Sequence, residues 1–114
     1  MKTLELSRKE AGAVMAALNN IERAGIEEIR GVDRVARVIE KADTVRLKAD
    51  ASSEQIIAFQ NESLGALEFE DADFTFLKQH VLGFKNMNPQ QRTVWLSLAD
   101  KIAAAEAVKT EKKD

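Results

Sequence analysis

Cysteine and tyrosine are absent from this 114-residue chain, and proline, tryptophan and histidine occur once each. Without cysteine there is no disulfide scaffold, and a reducing compartment is the natural setting. One proline and five glycines exclude collagen-like composition. A single tryptophan without tyrosine offers no aromatic platform for a sugar. Long apolar runs are also missing. The longest small or apolar stretch, Ala11 to Leu18, falls far short of the roughly 20 residues that span a bilayer. Met1-Lys2-Thr3-Leu4-Glu5-Leu6 lacks the apolar stretch of a secretory signal. The expected location is therefore the cytoplasm, with no membrane contact. Net charge is small too, −2 with a pI near 5.5, and the total calls for no polyanionic partner.

What remains is ordinary globular material, 45% hydrophobic and 32% charged. A chain of this length buries roughly two thirds of its unfolded surface, so one core forms without disulfides or metals, and no cofactor is expected.

Hydrophobic spacing divides the chain into short elements. Thr3-Leu4-Glu5-Leu6 alternates like a half-buried strand. Ser7 with Glu10 then forms a capping box for helix 1, whose stripe is Ala11, Val14, Met15, Leu18 and Ile21. Gly25 weakens continuation, Ile26 and Ile29 suggest a short helical turn ending at Gly31, and Asp33 is the expected cap of helix 2. That helix carries Val35, Val38, Ile39 and Ala42. Thr44-Val45-Arg46-Leu47-Lys48 switches to period two, which predicts a strand with Val45 and Leu47 inward. Ser52 and Gln55 cap a short helix 3 bearing Ile56, Ile57 and Phe59, and Gly65 breaks the run. Ala66-Leu67-Glu68-Phe69 reads as strand, ending at Asp71, the expected cap of helix 4 with Phe74, Leu77, Val81 and Phe84. Asn88-Pro89 opens helix 5, whose stripe is Val94, Trp95, Leu98 and Ile102.

The fold class expected is α+β and mostly helical, about five helices with two or three short strands. Leu4-Glu5-Leu6 and Leu67-Glu68-Phe69 each lead into two helices, so the chain reads as two strand–helix–helix units whose strands pair in one small sheet. Residues 1–107 form one domain. Residues 108–114 hold a single apolar side chain, Val108, and are expected to be a disordered tail.

Little of the chain suggests catalysis. His80 is the only imidazole, set between Phe76 and Phe84 at the border of an apolar stripe; a proton shuttle and an amphipathic boundary residue both fit it. Glu68, Glu70, Asp71 and Asp73 cluster, yet lack the spacing of a calcium loop and suit a helix N-terminus. No dinucleotide, P-loop, nucleophile-elbow, zinc-protease or paired-cysteine pattern occurs. The chain reads as a non-enzyme, without a metal site.

Two features suggest binding. Arg30, Arg34, Arg37 and Lys41 share one face of helix 2, and Arg46 and Lys48 share a face of the strand expected after it. Across residues 30–48 six basic residues stand against Asp33, Glu40 and Asp43. This face is either a phosphate-contacting surface for nucleic acid or a solvated face with ordinary helix pairs; no aromatic interleaves it for base stacking. The second feature is an apolar surplus. Phe74, Phe76, Leu77, Val81, Leu82 and Phe84 cover more than one stripe of helix 4, and Trp95 adds to them from helix 5. Phe74, Phe76, Leu77, Val81, Phe84 and Trp95 are the candidate partner-binding residues, with the domain core as the competing reading.

The run Leu67-Glu68-Phe69-Glu70-Asp71-Ala72-Asp73-Phe74-Thr75-Phe76-Leu77-Lys78, followed by Arg92-Thr93-Val94-Trp95-Leu96, resembles small proteins encoded in bacteriophage and prophage genomes. It covers about the last third of the chain, and no functional residue carries over. The resemblance implies an accessory or assembly role through protein contacts. The expectation is thus an interaction or assembly module, binding a protein partner or itself as an oligomer, with nucleic-acid binding through residues 30–48 as the alternative.

Overall fold

Ser7 makes the first junction of the chain. Its hydroxyl accepts from the Glu10 backbone N–H at 3.2 Å, and Glu10 Oε1 accepts from the Ser7 N–H at 2.9 Å. The reciprocal pair satisfies two backbone donors, so strand stops and helix starts within one residue. The computed structural model describes residues 1–21, 25–85 and 87–111. Their order is β1 (Lys2–Ser7), α1 (Arg8–Leu18), α2 (Ile26–Ala42), α3 (Ser53–Asn61), β2 (Ser63–Phe69), α4 (Asp71–Leu82), a 3-10 turn (Pro89–Gln91) and α5 (Arg92–Glu111). The fold is α+β and mostly helical, with five α-helices and one two-stranded sheet among the described residues.

The two Leu-Glu-apolar strands do pair. β1 and β2 run antiparallel with Leu4 opposite Leu67 and Lys2 opposite Phe69. The register slips between Glu5 and Ser7, where Gly65 adopts φ +83°. A residue with a Cβ rarely takes that conformation, and the glycine lets β2 bulge. Leu4, Leu6, Leu67 and Phe69 form the buried face. Two strands alone are marginal in water. Helices cover them: Val14 and Leu18 of α1, Val35 and Ile39 of α2, Phe74, Leu77 and Val81 of α4, and Trp95, Leu98 and Ile102 of α5 complete one core.

Four local expectations are corrected. No helix stops at Gly31, and Asp33 is not a cap: α2 runs unbroken from Ile26, with Gly25 as N-cap and its N–H held by Glu28 Oε1 at 2.7 Å. Gly31 stays helical because α4 packs against it. A Cβ there would lie 2.9 Å from Phe76 Cζ, so the glycine permits a close approach that offsets its poor helix propensity. Asp71 does not cap α4; Glu70 occupies that position, and Asp71 and Asp73 lie in the first turn, where carboxylates complement the helix dipole. Ile21 and Phe84 fall just beyond the ends of α1 and α4, since Asn19 and Gly83 terminate those helices.

The fourth correction concerns Thr44–Lys48. These residues are not a strand: among the described residues the sheet has two strands only, and 44–48 pair with neither of their open edges. Val45 and Leu47 point outward, 56% and 38% exposed. α3 follows with its expected capping box of Ser52 and Gln55. Farther on, the Asn88 side chain accepts from the Gln90 N–H and Pro89 begins the 3-10 turn that leads into α5. Of the expected tail, residues 108–111 belong to α5, and 112–114 lie outside the described residues.

Candidate docking groove

Arg8 is the first residue of α1, and its side chain reaches across to two distant parts of the chain. Nε donates to Asp43 Oδ1 at 2.7 Å, and Nη1 donates to the Phe59 carbonyl at 3.0 Å and to Glu62 Oε1. The guanidinium also lies over the Phe59 ring, 3.7 Å from its centroid. Burial alone pushes the guanidinium pKa down, and the hydrogen bonds that it donates to Asp43 and Glu62 more than reverse that, so the net shift is upward. One planar fork therefore ties the end of α2, the end of α3 and the start of α1 together.

This tie sets α3 beside residues 45–48, and the two enclose an open groove of about 350 Å³. Val45, Leu47, Ala51, Ala58 and Phe59 give it a mainly apolar lining. Arg46 and Lys48 line it as well, and both are exposed. Among the described residues no ion pair engages either of them. Glu62 is the one carboxylate of the lining, and it is bound to Arg8. α3 itself contributes no buried residue and displays Ile56 and Ile57 to solvent. Nine residues form a stable helix in water only with outside help, since most helical stability comes from packing one face.

The expected partner-binding residues lie elsewhere. Phe74, Leu77, Val81 and Trp95 are buried in the core, and Phe76 and Phe84 are half-buried against it. Phe84 packs on Trp95 with ring centroids 5.4 Å apart. The surplus read from helix 4 is divided between the sheet, α1, α2 and α5, which explains why more than one stripe is apolar. Leu82 and Leu96 remain exposed.

The basic face is partly neutralised. Arg34 Nε donates to Asp73 Oδ1 at 2.7 Å, tying α2 to α4, and Arg37 Nε donates to Asp33 Oδ2 at 2.8 Å. Arg30, Lys41, Arg46 and Lys48 carry no ion pair among the described residues. The last two do not extend a helix face along a strand; they stand on the groove.

His80 packs edge-on against Phe76, centroids 4.5 Å apart. The acidic cluster is dispersed: Asp73 binds Arg34, and Asp71 lies 3.2 Å from the N-terminal ammonium. Among the described residues no three His, Cys, Asp or Glu side chains are grouped to hold a metal ion. A polar cluster around the buried Glu10, which the sequence reading passed over, joins α1 to α5. Glu10 Oε1 accepts from Lys101 Nζ at 2.6 Å, and Oε2 accepts from Ser97 Oγ at 2.6 Å. Burial pushes the Glu10 carboxyl up, but the bonds from Lys101, the Ser7 N–H and Ser97 outweigh it and hold the group below its ordinary range. Ser97 donates to a carboxylate that Lys101 already neutralises, which makes the trio a helix-to-helix lock.

No protein-family model, curated protein or solved structure matches the chain. Among the described residues no helix is long and apolar enough to cross a membrane.

Proposed function

We propose that this domain is a non-enzymatic docking module of the cytoplasm, and that it receives a protein partner in the groove between residues 45–48 and α3. One observation carries the reading. α3 adds nothing to the core, yet the chain spends a capping box and the whole Arg8 side chain on holding it beside an apolar strip. A helix kept in place without burying a face stabilises the fold little, and a partner seated in the groove would supply the missing contact.

A photo-crosslinking side chain at Val45, introduced in the native host, tests the reading. A discrete adduct that disappears when Ala58→Trp fills the groove supports docking. Absence of any adduct contradicts it, as does an equal yield from Thr3 on the exposed sheet face that Ala58→Trp leaves unchanged. Ala58 is exposed, so the blocking substitution leaves the core alone.

A further inference from the structure

From the charges on the groove we infer that its occupant is an acidic peptide segment that inserts a leucine, isoleucine or methionine between Arg46 and Lys48 and the wall of α3. The inference rests on the docking reading above and names the chemistry of the partner.

The lining has two parts with different demands. Val45, Leu47, Ala58 and Phe59 are carbon surfaces, and alanine at position 58 leaves the space that a side chain would enter. About 350 Å³ accommodates an aliphatic side chain with its neighbouring backbone, at the small end of ligand clefts. Arg46 and Lys48 bring two cations to the same cleft, and among the described residues no ion pair engages either of them. Of the acidic groups that flank the groove, Glu62 on its lining and Asp43 at the end of α2 are both bound to Arg8. Opposite charge must then come from the occupant, because complementary potentials steer encounter and like charges repel it.

A nucleic acid would meet the cations but not the carbon lining. Bases bind protein best on aromatic faces, and the single ring in the groove, Phe59, already lies under the Arg8 guanidinium. An acidic peptide with an aliphatic anchor meets both demands at once, as apolar grooves with charged margins do for short linear segments.

Selection from a library of random displayed peptides tests this, with the parent protein and the Ala58→Trp variant as paired baits. Peptides enriched on the parent alone should carry an aliphatic residue flanked by Asp or Glu. A synthetic copy of the commonest sequence should bind about tenfold more weakly to an Arg46→Glu, Lys48→Glu double variant, and more weakly to the parent as salt rises. Circular dichroism of that variant should match the parent, since both side chains are exposed. Enriched aliphatic peptides without acidic residues would overturn the charge assignment while leaving the docking groove standing. No enrichment of the parent over Ala58→Trp would overturn both. Binding of a single-stranded DNA oligonucleotide that the double charge reversal abolishes, with no peptide selected, would assign the cations to phosphate and overturn the proposal.

Discussion

Gly31 of α2 lies beneath the ring of Phe76 on α4, and a methyl group at Gly31 would come within 2.9 Å of the ring's Cζ. Gly12, in the middle of α1, has nothing within 4 Å of where its Cβ would stand. The same substitution should therefore act in opposite directions at the two sites. Gly12→Ala is expected to stabilise by about 0.5–1 kcal/mol through helix propensity alone. Gly31→Ala carries the same backbone gain but is expected to lose about 1–3 kcal/mol to overpacking. Urea unfolding should rank Gly12→Ala above the parent and Gly31→Ala below it. Equal stabilisation at both sites would mean that the ring moves aside freely.

Leu77 distinguishes core from contact surface. It is fully buried, whereas Leu96, in the next helix, is 64% exposed. Leu77→Ala is expected to cost about 2–5 kcal/mol of folding stability. Leu96→Ala should change it by no more than about 0.5 kcal/mol. Were the α4 residues a face awaiting a partner, both substitutions would be nearly neutral in the isolated domain.

Acid should weaken the contact between α1 and α5. The Glu10 carboxyl is held below its ordinary value of 4.5, so the folded state favours the charged form. That stability is fully present above the unfolded value and is lost as pH falls through the lowered folded value. Glu10→Gln should thus destabilise at neutral pH and flatten the acid limb of the stability profile. Unfolding free energies measured between about pH 3 and pH 7 check this. Parallel profiles for parent and variant would contradict it.

Arg8 should hold α3 more than it holds the whole fold. Asp43 and Glu62 both keep access to water, so removing their partner leaves no sealed charge. Arg8→Met is expected to cost about 1–3 kcal/mol. Hydrogen exchange should accelerate first in residues 53–61, while the amides of β1 and α4 keep most of their protection. Arg8→Lys should recover only part of the loss, because an ammonium cannot span a carboxylate, a carbonyl and a second carboxylate as the planar fork does. Uniform acceleration across the chain would show that α3 is not a separate unit.

Much of this architecture is legible in local pattern. The capping boxes at Ser7 and Ser52 need only neighbours three residues away, and both form as their spacing suggests. The matching Leu4-Glu5-Leu6 and Leu67-Glu68-Phe69 stretches announce a pair of strands, and they do pair. Reading failed where a distant residue decided the outcome. Gly31 looks like a helix stop until Phe76 is packed upon it. Thr44–Lys48 alternates like a strand, but alternation does not supply a ladder partner. The groove was hidden for the same reason. Its apolar and basic side chains were visible in order along the chain, whereas their meeting with α3 depends on Arg8, far away in sequence from Asp43 and Glu62. For Phe74 and Trp95 the sequence leaves core and contact surface both open, because the demand of a two-stranded sheet for cover cannot be counted before the helices are placed.

The most direct measurement is an amide chemical-shift map of the isotope-labelled domain titrated with a synthetic peptide in which one leucine is flanked by glutamates. The account expects saturable shifts confined to residues 45–48, α3 and Glu62, absent in the Ala58→Trp variant. Shifts centred on α4 and α5, or none at concentrations where peptide and protein both remain soluble, would contradict it.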